Sequence, residues 1–277
     1  MSTLNVNRIF CLSLDKDEHR RKRLLAAFPI IKDRIEFVSG LDGNLSPITV
    51  PSWISNLRPH QKFLSHVRSS VPVLNYTLSN KELACVLGHM QIWRDISELD
   101  NDRPCLVCED DIFPNNEAAF IEIANNIIDQ MKREEIVYLG YSSYWGESRS
   151  KIYTLAQNLW HWFKQRRFSG SLQSTVSYNL VRKATPRTCI KSQLVLHAGL
   201  HWGAFCYLIT RHSAKQLLAL NANLEMTSDG TLRYANLSQA IPIYISKKSL
   251  VQVNTQLGSN IRTQEEHNSN FSKFKIS

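Results

Sequence analysis

The 277-residue sequence contains no uninterrupted apolar span of the roughly 20 residues needed to cross a bilayer. Its first residues, Met1 to Asn7, are polar and lack a secretory apolar core. The expectation is a cytoplasmic protein. Cysteine is scarce. Cys11, Cys85, Cys105, Cys108, Cys189 and Cys206 sit mostly inside apolar runs, which suits buried free thiols rather than a disulfide framework. Cys105 and Cys108 have C-x-x-C spacing, but no second pair completes a zinc site. In a strand, two side chains three apart also point to opposite faces. Repeats and low-complexity tracts are absent too. Hydrophobic residues at 43% and charged residues at 21% exclude a disordered chain. One further absence is local: between Glu147 and Glu225 there is no Asp or Glu. Eleven of the 33 Lys and Arg residues fall in that stretch, leaving 22 against 24 acids elsewhere. The net charge of +9 therefore belongs to one segment. Such a local excess points to an anionic partner for that segment, not to a generally basic protein.

What is present follows a strand–helix–strand order. Arg8 to Leu14 reads as a buried strand, Asp15 to Phe28 as a helix, and Ile35 to Val38 as a second strand before the turn Leu41-Asp42-Gly43. This opening starts a parallel α/β sheet. Residues 44–78, broken by four prolines, read as a long loop. Ser79 and Glu82 make a capping box ahead of Leu83, Val86, Leu87, Met90, Trp93 and Ile96 at helical spacing. Cys105 to Cys108 is a strand, Phe120 to Met131 a helix, Ile136 to Leu139 a strand, Cys206 to Thr210 a strand, and His212 to Leu220 a helix. The expected organisation is one domain over residues 1–261 and a polar tail over 262–277, with 142–200 as a divergent basic insert.

The strand at Cys105 runs straight into Glu109-Asp110-Asp111. Three consecutive acids repel one another. The carboxyl end of a parallel strand also opens into the crevice where α/β folds bind ligands. A hard cation, Mn²⁺ or Mg²⁺, would relieve the repulsion and bridge a diphosphate. The competing explanation is a solvated turn.

Four blocks resemble glycosyltransferase family 25, which includes bacterial lipooligosaccharide galactosyltransferases and procollagen galactosyltransferases. Ile9 to Leu14 followed by His19-Arg20-Arg21 resembles its opening strand and paired-arginine helix. Glu82-Leu83-Ala84-Cys85-Val86-Leu87-Gly88-His89 resembles its E-I-G-C-A-L-S-H helix. Leu106 to Ile112 resembles its L-V-L-E-D-D block, and Gly203 to Arg211 its G-x-x-A-Y-x-I-S block. Ala84 and Gly88 depart from the family pattern by small-for-small changes, and residues 142–200 align with none of it. The resemblance implies a GT-A-like, Rossmann-related fold with a mostly parallel central sheet. It implies inverting transfer from a UDP-sugar, with UDP-galactose foremost, onto a glycan or glycolipid acceptor. Glu109 and Asp111 take the metal-binding positions of a D-x-D-type motif. Leu12, Arg20, Arg21 and Asp110 are placed beside the donor.

Inversion needs a base on the acceptor hydroxyl; Asp229 is the candidate, against a plain Asp-Gly turn. His89 is either a donor-site residue or a satisfied core histidine. His197 and His201 are four apart but lack the H-E-x-x-H glutamate and are taken as structural. Trp160, Trp162, Lys164, Arg166 and Arg167 interleave aromatics with cations, as an anchor on an anionic inner-membrane surface or on the acceptor would. A nucleic-acid-binding protein would use that segment too, but the acidic triplet fits it badly. A metal-dependent phosphohydrolase would use the triplet itself.

Overall fold

A computed structural model of the chain describes residues 3–45, 47–57, 78–142, 195–198, 202–237 and 240–254. Nine strands and five α-helices lie among them. In chain order they are β1 Ile9–Ser13, α1 Glu18–Ala27, β2 Ile35–Ser39, α2 Asn80–Ser97, β3 Cys105–Glu109, β4 Ile112–Pro114, α3 Glu117–Ile128, β5 Ile136–Ser142, β6 Val195–His197, β7 Trp202–Ile209, α4 Arg211–Leu220, α5 Ser228–Leu237, β8 Ile243–Ser246 and β9 Val251–Val253.

Seven strands form one sheet in the order β2-β1-β3-β7-β5-β8-β6, and β4 pairs with β9 in a small second sheet. β1 pairs in parallel with β2 and β3, and β5 with β8. β7 runs antiparallel between β3 and β5, and β6 antiparallel beside β8. Five of the seven strands therefore point one way, so the sheet is mostly parallel in direction, as expected. The antiparallel β7 at its centre was not.

The strands are apolar on both faces because helices cover both. One face carries Phe10, Val107, Tyr138, Tyr207 and Ile245 against α2, α4 and α5. The other carries Cys11, Leu106, Leu139 and Leu208 against α1 and α3. Alternate residues of each strand thus feed two separate cores, and Cys105 and Cys108 fall in different ones. The result is a Rossmann-like three-layer α/β/α sandwich.

Local chemistry sets the helix ends. The Ser79 hydroxyl accepts the Glu82 N–H (3.3 Å), and the Glu82 carboxylate accepts the Ser79 N–H (3.1 Å). This closes the expected capping box at α2. Asn116 caps α3 and Thr210 caps α4 through side-chain oxygens. α1 starts at Glu18 rather than Asp15, because Asp17 turns back onto the Leu14 carbonyl. α3 begins and ends three residues earlier than its apolar spacing suggested.

The crossover through α1 carries the chain from β1 to one side, and the crossover through α2 brings it back to the other side at β3. The two crossover helices lie on opposite faces. The sheet's switch point thus falls between β1 and β3, where open α/β sheets leave a crevice for ligands.

Candidate active site

A cleft opens at this switch point. It is lined by Leu12, Ser13 and Leu14 at the end of β1, by the Gly40–Gly43 loop after β2, by Lys81, Ala84 and Cys85 of α2, by Arg20, and by Glu109, Asp110 and Asp111. Parallel pairing sets Leu12 opposite Glu109, so the end of β1 delivers Ser13 to the triplet.

The three acids face three different environments. Glu109 continues the α2 side of β3, and its Oε1 lies 3.3 Å from His89 Nε2. Asp110 turns to the α1 side. There it accepts the Ser13 hydroxyl (2.6 Å) and pairs with Arg20 Nε (2.7 Å). Asp111 follows the strand. Its Oδ2 lies 3.0 Å from the second Arg20 terminal nitrogen, its backbone carbonyl accepts Asn254 N–H (2.7 Å), and its Oδ1 is buried with no hydrogen-bond partner.

Burial pushes the Asp111 carboxyl up to about 7, reinforced by the charge of Glu109 and opposed by Arg20. Burial also raises Asp110, against the pull of the Ser13 hydrogen bond and Arg20. Asp111 Oδ1, buried without a hydrogen-bond partner, and the neighbouring Glu109 carboxylate offer hard oxygen donors. These residues fit a Mn²⁺ or Mg²⁺ ion.

Arg20 is buried, although a charged helix run suggests a solvent-facing arginine; the carboxylates of Asp110 and Asp111 hold it in place. Arg21 donates to the Ser13 hydroxyl (3.0 Å) and carbonyl (3.2 Å), pairs with Asp15 (2.8 Å), and stacks over Phe37. Leu12 packs on Gly88, where a Cβ would meet Leu12 Cδ1 at 2.6 Å. The departure from serine at 88 thus brings helix and strand close together.

His89 is fully buried. Its Nδ1 lies 3.3 Å from the Tyr207 hydroxyl, which accepts Trp93 Nε1–H at 2.8 Å. An indole only donates and a carboxylate only accepts, so this chain favours a proton on His89 Nε2, facing Glu109.

Asp229 occupies the first turn of α5, and its Oδ1 accepts the Ala204 N–H (2.5 Å) at the start of β7. Burial, then the Glu109 charge and to a lesser degree that of Asp229, push the Cys85 thiol up. Cys85 Sγ in turn lies 3.8 Å from Ser228 Oγ.

Leu12, Arg20, Glu109, Asp110 and Asp111 are thus brought to one cleft, with His89, Arg21 and Asp229 around it. Trp160, Trp162, Lys164, Arg166 and Arg167 lie outside the described residues, as does His201. His197 sits in strand β6, so helical i,i+4 spacing does not apply to it. Sequence reasoning passed over Ser13, Lys81, Tyr207 and the thiol of Cys85 as site residues. The i,i+4 spacing of Cys85 and His89 on α2 was the signal available for the thiol.

Compared with known families, residues 6–232 match glycosyltransferase family 25 (LPS biosynthesis protein). No curated protein matches the chain. The match spans most of the sequence, so the chain belongs to glycosyltransferase family 25. It is a glycosyltransferase, with a sugar donor and a glycan acceptor as its substrates. None of the described helices is long and apolar enough to cross a membrane.

Proposed function

We propose that the chain transfers a hexosyl group, with galactose the foremost candidate, from a UDP-sugar to a lipooligosaccharide, lipopolysaccharide or related glycan. Transfer proceeds with inversion and with Mn²⁺ or Mg²⁺ bound at Glu109 and Asp111. The observation that carries this reading is the unpartnered, buried Oδ1 of Asp111, set beside Glu109 at the switch-point cleft.

When bound, the divalent ion offsets the negative charge that gathers as the diphosphate leaves. The chain's own residues supply the rest. Arg20 holds Asp110 and Asp111 at the cleft. Ser13 and Arg21 brace that corner. Asp229 takes the proton from the acceptor hydroxyl as that oxygen attacks the anomeric carbon on the face opposite the leaving diphosphate. The acid-free stretch between Glu147 and Glu225 supports peripheral contact with an anionic acceptor or with the inner face of the cytoplasmic membrane.

The test is thermal unfolding of the purified chain with UDP, with Mn²⁺, and with both. A ligand that binds only the folded state at about 100 times its Kd adds about 2.7 kcal/mol. The joint shift should exceed either single shift and vanish in Asp111→Ala. The same samples then go into transfer assays with UDP-galactose and a glycan acceptor. No joint shift, or UDP-sugar breakdown indifferent to acceptor, refutes the reading; the latter result identifies a phosphohydrolase. Salt-sensitive oligonucleotide binding without any UDP response would identify a nucleic-acid-binding protein instead.

A further inference from the structure

Cys85 and His89 are one helical turn apart on α2, and Glu109 ends β3 on the face that α2 covers. One donor atom from each (the thiol sulfur, an imidazole nitrogen and a carboxylate oxygen) lies within 4.8 Å of the other two. His89 Nε2 and Glu109 Oε1 are already 3.3 Å apart. Cys85 and Glu109 line the cleft, so a fourth position can open to water. We propose that Cys85, His89 and Glu109 form a second cation site, which takes a thiophilic divalent metal of the zinc class and shares Glu109 with the Glu109–Asp111 pair.

The donor chemistry separates the two sites. Glu109 with Asp111 offers only hard oxygens. Cys85 with His89 offers sulfur and nitrogen, which select zinc or cobalt over magnesium or manganese. Three protein ligands of mixed type with one open position match the tetrahedral preference of zinc.

Metal binding at Nε2 displaces the proton that faces Glu109 to Nδ1, which reverses the hydrogen bond with Tyr207: the hydroxyl oxygen, 3.3 Å away, then accepts from Nδ1. The Cys85 thiol proton leaves to solvent as the sulfur–metal bond forms. The consequence for catalysis rests on the proposed glycosyl transfer: zinc at this site withdraws Glu109 from the carboxylate pair and opposes the manganese–UDP complex.

The test begins with cobalt added to the metal-free chain. Thiolate-to-cobalt charge-transfer absorption should appear, disappear on addition of zinc, and persist in Asp111→Asn. It should be lost in Cys85→Ser, whose unfolding in EDTA checks that the variant folds. No absorption, or absorption that survives Cys85→Ser because another cysteine supplies the sulfur, overturns the site. Neither UDP nor Asp111 is needed for this signal, so it stands or falls apart from the transferase reading. Zinc should then suppress the joint manganese–UDP thermal shift in the wild type but not in Cys85→Ser. Zinc that leaves the wild-type shift intact overturns the sharing of Glu109. A wild type with the cobalt signal but no manganese–UDP shift supports the zinc-class site while refuting the manganese reading.

Discussion

Replacing Asp111 by asparagine should make the metal-free protein more stable at alkaline pH while removing its metal response. The folded-state carboxyl titrates at about 7, against 3.8 for the exposed group. Between those values the folded chain holds a proton that the unfolded chain has lost. Each pH unit in that window therefore removes about 1.4 kcal/mol of stability as pH rises. Over roughly three units the loss approaches about 4 kcal/mol, complete once pH exceeds 7. Asparagine cannot ionise, so it escapes the loss. It leaves Arg20 its pair with Asp110. Burying an amide with imperfect partners costs about 1–3 kcal/mol of the gain. The expected result in EDTA is near-equal stability or a small deficit for Asp111→Asn at pH 4.5, turning to an advantage of about 1–3 kcal/mol at pH 8. Urea unfolding followed by circular dichroism measures both. Taking the difference between variant and wild type cancels the other titrating groups. An Asp111→Asn protein that is no more stable than wild type at pH 8, or a difference that does not change between the two pH values, refutes the argument.

Arg20→Gln leaves two buried carboxylates without their cation and should cost about 3–5 kcal/mol at pH 8. The deficit should shrink at pH 5, because Asp111, pushed up to about 7, holds a proton in the folded state there; a deficit that is flat with pH refutes the assignment. Gly88→Ala places a Cβ 2.6 Å from Leu12 Cδ1. Leu12 must swing away, and because it lines the cleft, UDP affinity should fall more than stability does. Equilibrium UDP binding set beside urea unfolding separates the two effects, and unchanged UDP binding refutes the argument.

Elements whose signal is local were legible in the sequence. The strands at Ile9, Cys105 and Ile136 are apolar on both faces because helices cover both, so a continuous apolar run marks each one. The Ser79–Glu82 box fixed the start of α2 before any tertiary contact was known. Pairing direction carries no such mark, so the antiparallel β7 between β3 and β5 could not be foreseen from its residues. Arg20 shows the same limit. In the run Glu18 to Arg23 every residue is charged or a histidine, and nothing local singles out the one that is buried. Its partners arrive about 90 residues later, delivered by β3.

The acidic triplet itself held more information than its composition suggested. Residues 105 and 107 of β3 face the α2 core, and 106 and 108 face the α1 core. Continued by two residues, that alternation puts Glu109 toward α2 and Asp110 toward α1. Glu109 accordingly meets His89, and Asp110 meets Ser13 and Arg20. Asp111 lies past the last strand residue, where the chain turns into β4, and is released from the alternation. Three neighbouring like charges are tolerable because the strand sends two of them to opposite faces. Each face supplies its own donor, whereas Asp111 Oδ1 is buried without one. A manganese ion at that oxygen would complete a pattern that the backbone geometry has already set. It follows that Asp110 and Asp111 should not be interchangeable. In metal-free protein at pH 8 both asparagines escape a burial penalty, but Asp110→Asn also disturbs the acceptor of the Ser13 hydroxyl and the partner of Arg20 Nε, so it should be less stable than Asp111→Asn. An Asp110→Asn protein as stable as Asp111→Asn in the same urea titration would refute this division of roles.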